Sequence, residues 1–121
     1  MELLSLVLVA VVAIEHIGIM CLEMFFWDHP TGQKVFDMTP EQSAASRVLA
    51  ANQGLYNGFL AAGLIWALTS GRFDLMVFFL SCVVIAGLFG AATAKRTIIF
   101  TQALPAGLAL LAVILAHYAA A

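Results

Sequence analysis

Four long apolar stretches separated by short polar connections account for most of the chain, at about residues 3–27, 43–69, 73–94 and 97–118. Crossing roughly 30 Å of hydrocarbon takes about 20 apolar residues in a helix, and each stretch is long enough. Backbone groups in lipid must be satisfied within the segment, so the stretches are predicted to be helices; barrel strands would be shorter and would alternate. The pattern predicts an all-α fold, a four-helix transmembrane bundle forming one domain over residues 1–121. The first stretch lacks a basic leader and a small-residue cleavage site, so it reads as a retained helix rather than a signal peptide.

The connection after Trp27 is the only substantial one. Asp28-His29-Pro30-Thr31-Gly32 has turn composition, since proline fixes φ and glycine accepts positive φ. Val35 and Phe36 are candidates to dip into the interface. Thr39-Pro40-Glu41-Gln42 then predicts a helix start, with Thr39 as N-cap, Pro40 in the first helical position and Gln42 completing a capping box. Further on, Gly71-Arg72 makes a short link. Pro105 lies past the first turn of its helix, so it should free a carbonyl near Thr101 and bend the chain there.

Composition supports the membrane assignment. Of 121 residues 64% are hydrophobic and only 10% charged, against about 25% charged in a typical soluble domain. The basic residues orient the spans. Lys34 and Arg47 flank the first connection and Lys95 and Arg96 form the third, whereas the opposite side has only Arg72. This bias predicts a cytoplasmic side for the first and third connections and places both termini outside the cytoplasm. The net charge of −2 and the lack of a basic patch give no reason to expect a nucleic-acid partner.

Against this background the polar residues inside the stretches stand out. Glu15, His16 and Glu23 lie in the first, and ionisable groups at membrane depth mark functional sites by default. His16 and Glu23, seven residues apart, share one face with Ser5, Val12 and Trp27; Glu15 points about 100° away. From the helical rise, His16 is about 16 Å from Trp27 and Glu23 about 6 Å. In the second stretch Asn52, Gln53, Tyr56 and Asn57 span an arc of about 140°. Gly54, Gly58 and Ala62 form a small-residue face that allows close helix approach. Gln102 belongs to the fourth stretch, with Arg96 at its mouth.

These groups share the predicted cytoplasmic half of the bilayer. They imply a polar pocket floored by His16 and Asn57, with Glu23 and Gln102 above and Trp27, Lys95 and Arg96 at the rim. Plainer roles stand beside that one. The amides can act as interhelical hydrogen-bond glue, Glu23 can snorkel to the surface, and Trp27, His117 and Tyr118 can be interfacial belt residues. Glu15, near the midplane, has no surface to reach and needs a partner or a proton. No spacing of His, Cys or carboxylates suggests a metal or haem site, so no cofactor is expected, and Cys21 and Cys82 read as apolar filler.

Glu23-Met24-Phe25-Phe26-Trp27, Thr31-Gly32-Gln33-Lys34-Val35-Phe36 and the run from Leu49 to Gly63, with Ala51-Asn52-Gln53-Gly54-Leu55-Tyr56-Asn57-Gly58 at its centre, resemble a family of small bacterial four-span proteins known as domain of unknown function 1304. The resemblance implies the same topology, placement in the bacterial inner membrane, and importance for His16, Glu23, Asn52, Gln53 and Asn57, but no substrate. A shallower similarity is to small multidrug resistance transporters, also short four-span chains with a glutamate in the first helix, which Glu15 matches. The glycine- and tryptophan-containing third-helix signature of that family is missing here.

Three functions are compatible with the pattern. In the first, a lipophilic molecule binds in the pocket, with Trp27, Asn52, Gln53, Tyr56, Asn57, Arg96 and Gln102 as ligand-binding residues; whether it is also acted on there is open, and His16 and Glu23 would then be acid and base. The second is a proton-coupled carrier, a homodimer built around Glu15. The third is a structural or accessory subunit whose polar groups only lock helices together.

Overall fold

The computed structural model describes residues 2–121, and every regular element among them is helical. Helix α1 covers Leu3–Phe25, α2 Pro30–Val35, α3 Pro40–Ser70, α4 Phe73–Thr93 and α5 Leu104–Ala119, with a π-helical turn over Ile99–Ala103 leading directly into α5. Three helical stretches are long and apolar enough to cross a membrane: α1, α4 and the continuous Ile99–Ala119. The sequence pattern had predicted four. The exception is α3, which at 31 residues is the longest helix. Asn52, Gln53, Tyr56 and Asn57 in its middle, and Glu41 and Arg47 near its start, dilute its apolar character.

The ends of α3 follow from local chemistry. At its start the Gln42 backbone N–H donates to Thr39 Oγ1 at 3.1 Å, and the Thr39 N–H donates to Gln42 Oε1 at 2.9 Å. This is the reciprocal capping box, with Pro40 as the first helical residue. At the other end Gly71 has φ 64°. The Arg72 N–H bonds back to the Ala67 carbonyl and the Gly71 N–H to that of Leu68, closing a Schellman motif.

The described chain falls into two compact units. One comprises residues 14–61: the C-terminal part of α1, α2 and most of α3. Here the turn expected at residues 28–32 is partly helical. His29 caps α2 by accepting from the Thr31 N–H through Nδ1, and Pro30 opens the helix. Gly32 serves close approach rather than a left-handed turn, because a Cβ there would overlap the Phe26 carbonyl oxygen. The left-handed position falls instead on Asp37, φ 53°, with the Met38 N–H bonded to the Gln33 carbonyl. Aspartate is among the few non-glycine residues that tolerate that conformation.

The other unit joins the segment ending at Ala13 with residues 62–121. Helix α4 buries Met76, Leu80, Val83, Gly87 and Ala91, and α5 buries Ala106, Ala109, Val113 and Ala116. The three- and four-residue spacings put each set on one face, and the small residues let backbones approach. At Gly87 a Cβ would lie 2.8 Å from the Ala103 backbone nitrogen. That contact is made by the π-helical turn. Pro105 brings no N–H to the ladder, and the Leu104 N–H reaches five residues back to the Ile99 carbonyl. The bend expected near Thr101 thus takes the form of a widened turn over residues 99–103. At the far end Phe73 stacks on His117 at 3.7 Å, while Arg72 pairs with Asp74 and lies over the Trp66 ring.

Candidate functional site

The buried face of α1 runs through Ser5, Val9, Val12, His16 and Glu23, all at most 8% exposed. His16 and Glu23 therefore share a face, as their seven-residue spacing requires. Glu15 is half-buried, with Oε1 enclosed and lacking a hydrogen-bond partner.

Within the unit of residues 14–61, α3 runs antiparallel to the end of α1, and the register can be read from three levels. The Trp27 indole Nε1 donates to Ser46 Oγ at 2.9 Å. Deeper in, Gly54 lies beside Glu23, where an added Cβ would be 3.0 Å from the Glu23 Cβ and 2.7 Å from Met24 Cγ. Deeper still, Gly58 faces Met20 Sδ. Gly54 and Gly58 of the small-residue face of α3 thus receive α1, while Ala62 is exposed.

The Glu23 side chain turns toward α3. Its carboxyl oxygen Oε1 accepts from Asn57 Nδ2, although its Cβ stands level with Gly54. Helical side chains lean toward their own N-terminus, and for α1 that direction leads away from Trp27. The carboxyl is carried about one turn of α3 deeper than its own backbone and meets an amide there. A polar partner for a buried carboxyl is what burial demands.

An open depression of about 390 Å³ lies on this unit, lined by Glu23, Trp27, Ser46, Leu49, Ala50, Asn52 and Gln53. Its polar groups are a carboxyl, an indole, a hydroxyl and two amides; its apolar part is Leu49 and Ala50. The arc of four polar residues on α3 is divided. Asn57 packs in the α1 interface, whereas Asn52, Gln53 and Tyr56 are exposed. Tyr56 meets the Phe59 ring edge-on at 5.7 Å. Of the residues expected at one site, Glu23, Trp27, Asn52 and Gln53 line the depression and Asn57 holds Glu23 from behind.

Gln102 and Arg96 belong to the other unit. There the Gln102 amide donates to the Val83 carbonyl at 3.3 Å, the hydrogen-bond-glue role, and Arg96 is exposed in the turn after α4. Four residues that anchor the connection beside the depression escaped the sequence reading: Asp28, Gln33, Ser43 and Ser46. Ser43 is wholly buried; its hydroxyl accepts from Gln33 Nε2 at 3.0 Å and lies 2.8 Å from Asp28 Oδ1 and 3.1 Å from the Pro40 carbonyl. Ser46 in turn donates to the Gln42 carbonyl at 2.7 Å. A buried indole N–H usually finds an acceptor, so Trp27 was the available signal for Ser46.

The class defined by these observations is an all-helical protein with membrane-capable helices and a polar cluster at the end of the first. The family model described as Protein of unknown function (DUF1304) matches residues 10–114, and the chain belongs to that family. It is 37% identical over 118 residues to the uncharacterized protein YpaA of Lactococcus lactis subsp. lactis (strain IL1403), covering 94% of this chain and 97% of that protein. No solved structure matches the chain.

Proposed function

We propose that the protein crosses the bacterial inner membrane four times, α3 included, and that the depression beside Glu23 binds a small lipophilic molecule through a hydrogen-bond-donating head group. At 31 residues α3 is about 46 Å long, enough to cross the bilayer and extend beyond it. On this reading α2 and its flanking turns lie on the cytoplasmic side and both termini opposite, which the bias of the basic residues supports.

The observation that carries the ligand assignment is the Glu23 carboxyl, buried at the end of a membrane-capable helix and held by Asn57 at the wall of an open depression. Acceptors on Glu23, Asn52 and Gln53 suit a hydroxyl or amine, and Leu49, Ala50 and the Trp27 ring suit an apolar body. Any acid–base chemistry on that molecule would fall to Glu23, with His16 two turns deeper on the same face.

Mass spectrometry of the small molecules retained by the detergent-purified protein tests this. A lipophilic species carrying a hydroxyl or amine should copurify with the native chain and be lost in Glu23→Gln and Asn52→Ala, with folding unchanged by circular dichroism. Equal retention by all three proteins would refute the assignment.

One observation favours a second reading: the enclosed Glu15 Oε1 without a hydrogen-bond partner, in a membrane-capable helix where ionisable groups mark proton pathways. That reading expects pH-dependent uptake into proteoliposomes that disappears in Glu15→Gln; uptake unaffected by the substitution would exclude it.

A further inference from the structure

The depression beside Glu23 is chemically one-sided. Glu23 is the one ionisable residue in its lining. Lys34 and Arg47, the lysine and the arginine of residues 14–61, are exposed and do not line it. Asn57 gives the carboxyl a neutral donor at Oε1, and a neutral donor leaves a negative charge uncompensated. A carboxylate out of water is costly unless an opposite charge accompanies it.

Trp27 is the second observation. Its indole N–H donates to Ser46 on α3 at 2.9 Å, and its ring meets that of Phe36, the C-cap of α2, at 4.8 Å. The indole is thus tied to two elements at the wall of the depression. Among aromatic side chains indole attracts cations most strongly.

We propose that the head group taken by this depression is a cation, the ammonium of a compact lipophilic amine that donates N–H to Glu23 and lies against the Trp27 ring. The proposal rests on the reading that a lipophilic molecule with a donor head binds here, and it narrows hydroxyl or amine to the protonated amine. A hydroxyl brings a donor alone, whereas an ammonium brings donors and the missing charge. Charge-assisted hydrogen bonds are about twice as strong as neutral ones. An alkylamine carries its proton at neutral pH, as lysine does with its ordinary pKa of about 10.4. Asn52 and Gln53 are exposed, and a side-chain amide can turn its oxygen toward a cation. An anionic head group would meet Glu23 with no lining cation to offset the repulsion.

Adamantylamine and adamantanol share one apolar body and differ in the head group alone. Equilibrium dialysis of each radiolabelled probe against the full chain in detergent at neutral pH, with protein-free micelles subtracted, gives the affinities. The amine should bind roughly ten-fold more tightly than the alcohol, the difference between a charge-assisted and a neutral hydrogen bond. In Glu23→Gln, shown to be folded by circular dichroism, that preference should vanish. Trp27→Leu should weaken the amine more than the alcohol, by roughly 2- to 30-fold. Equal affinities for the two probes in the native chain, both lowered by Glu23→Gln, would overturn the cation and leave a donor head at Glu23 standing. An amine preference that survives Glu23→Gln would overturn the proposal, and binding of neither probe would overturn both readings.

Discussion

Replacing Asn57 by alanine removes the partner of the one carboxyl that the chain buries at the end of α1. Glu23 is 8% exposed and accepts from Asn57 Nδ2, so the truncation leaves its oxygen enclosed without that donor. In water-soluble proteins an orphaned buried acceptor costs about 1–3 kcal/mol. Hydrogen bonds between membrane helices are worth less, about 0.6–2 kcal/mol. The ranges overlap at about 1–2 kcal/mol, the loss expected for Asn57→Ala. Glu23→Gln keeps an acceptor oxygen within the same reach of Asn57, so its effect should stay within about 0.5 kcal/mol. The double variant Glu23→Leu, Asn57→Ala withdraws both polar groups and should cost less than the sum of its single changes. Reversible unfolding in mixed micelles at increasing denaturing-detergent fraction, followed by circular dichroism, gives these differences together with that of Glu23→Leu alone. A loss under about 0.3 kcal/mol for Asn57→Ala, or strict additivity in the double variant, would show that the two side chains are not energetically linked.

Three other outcomes follow from the same geometry. Ser46→Ala takes the acceptor from the Trp27 indole and should cost about 0.5–1.5 kcal/mol; in a Trp66→Phe background the Trp27 emission maximum should shift, and an unchanged spectrum would contradict the bond. Gly32→Ala drives a Cβ into the Phe26 carbonyl and should make the connection after α1 more sensitive to limited proteolysis, whereas cleavage at the native rate would argue against tight packing there. With Cys21 and Cys82 removed, Asp37→Cys and Ser70→Cys should react with an impermeant maleimide from opposite faces of sealed vesicles. Labelling of both from one face would rule out a membrane-crossing α3.

Much of the frame was legible in the residues, because it depends on chemistry local in the chain. Thr39, Pro40 and Gln42 announce the start of α3, and the seven-residue spacing of His16 and Glu23 fixes their common face. What was not legible is absolute orientation. Helical periodicity gives angles between residues of one helix but not the direction in which the set points. The amide arc of α3 therefore looked like one polar face, and the packing of Gly54 and Gly58 on α1 divides it at Gln53, with Asn57 inside and Asn52 outside. The inward turn of the Glu23 carboxyl escapes sequence reading for the same reason, since it depends on what stands opposite. Helix α2 is hidden because Gly32 has turn composition, while its role depends on a carbonyl six residues earlier. The apolarity of α3 was overestimated by weighing its length above the amides at its centre.

The π-helical turn over Ile99–Ala103 also bears on how this chain can vary. Such a turn holds one residue more than an α-helical turn in nearly the same rise. Losing one residue elsewhere in a membrane helix rotates everything beyond it by about 100° and points the buried face at lipid. A one-residue deletion between positions 99 and 103 converts the wide turn to an ordinary one, and Ala106, Ala109, Val113 and Ala116 keep their bearing on α4. This short stretch is where the length of the last helix can change without changing what that helix packs against.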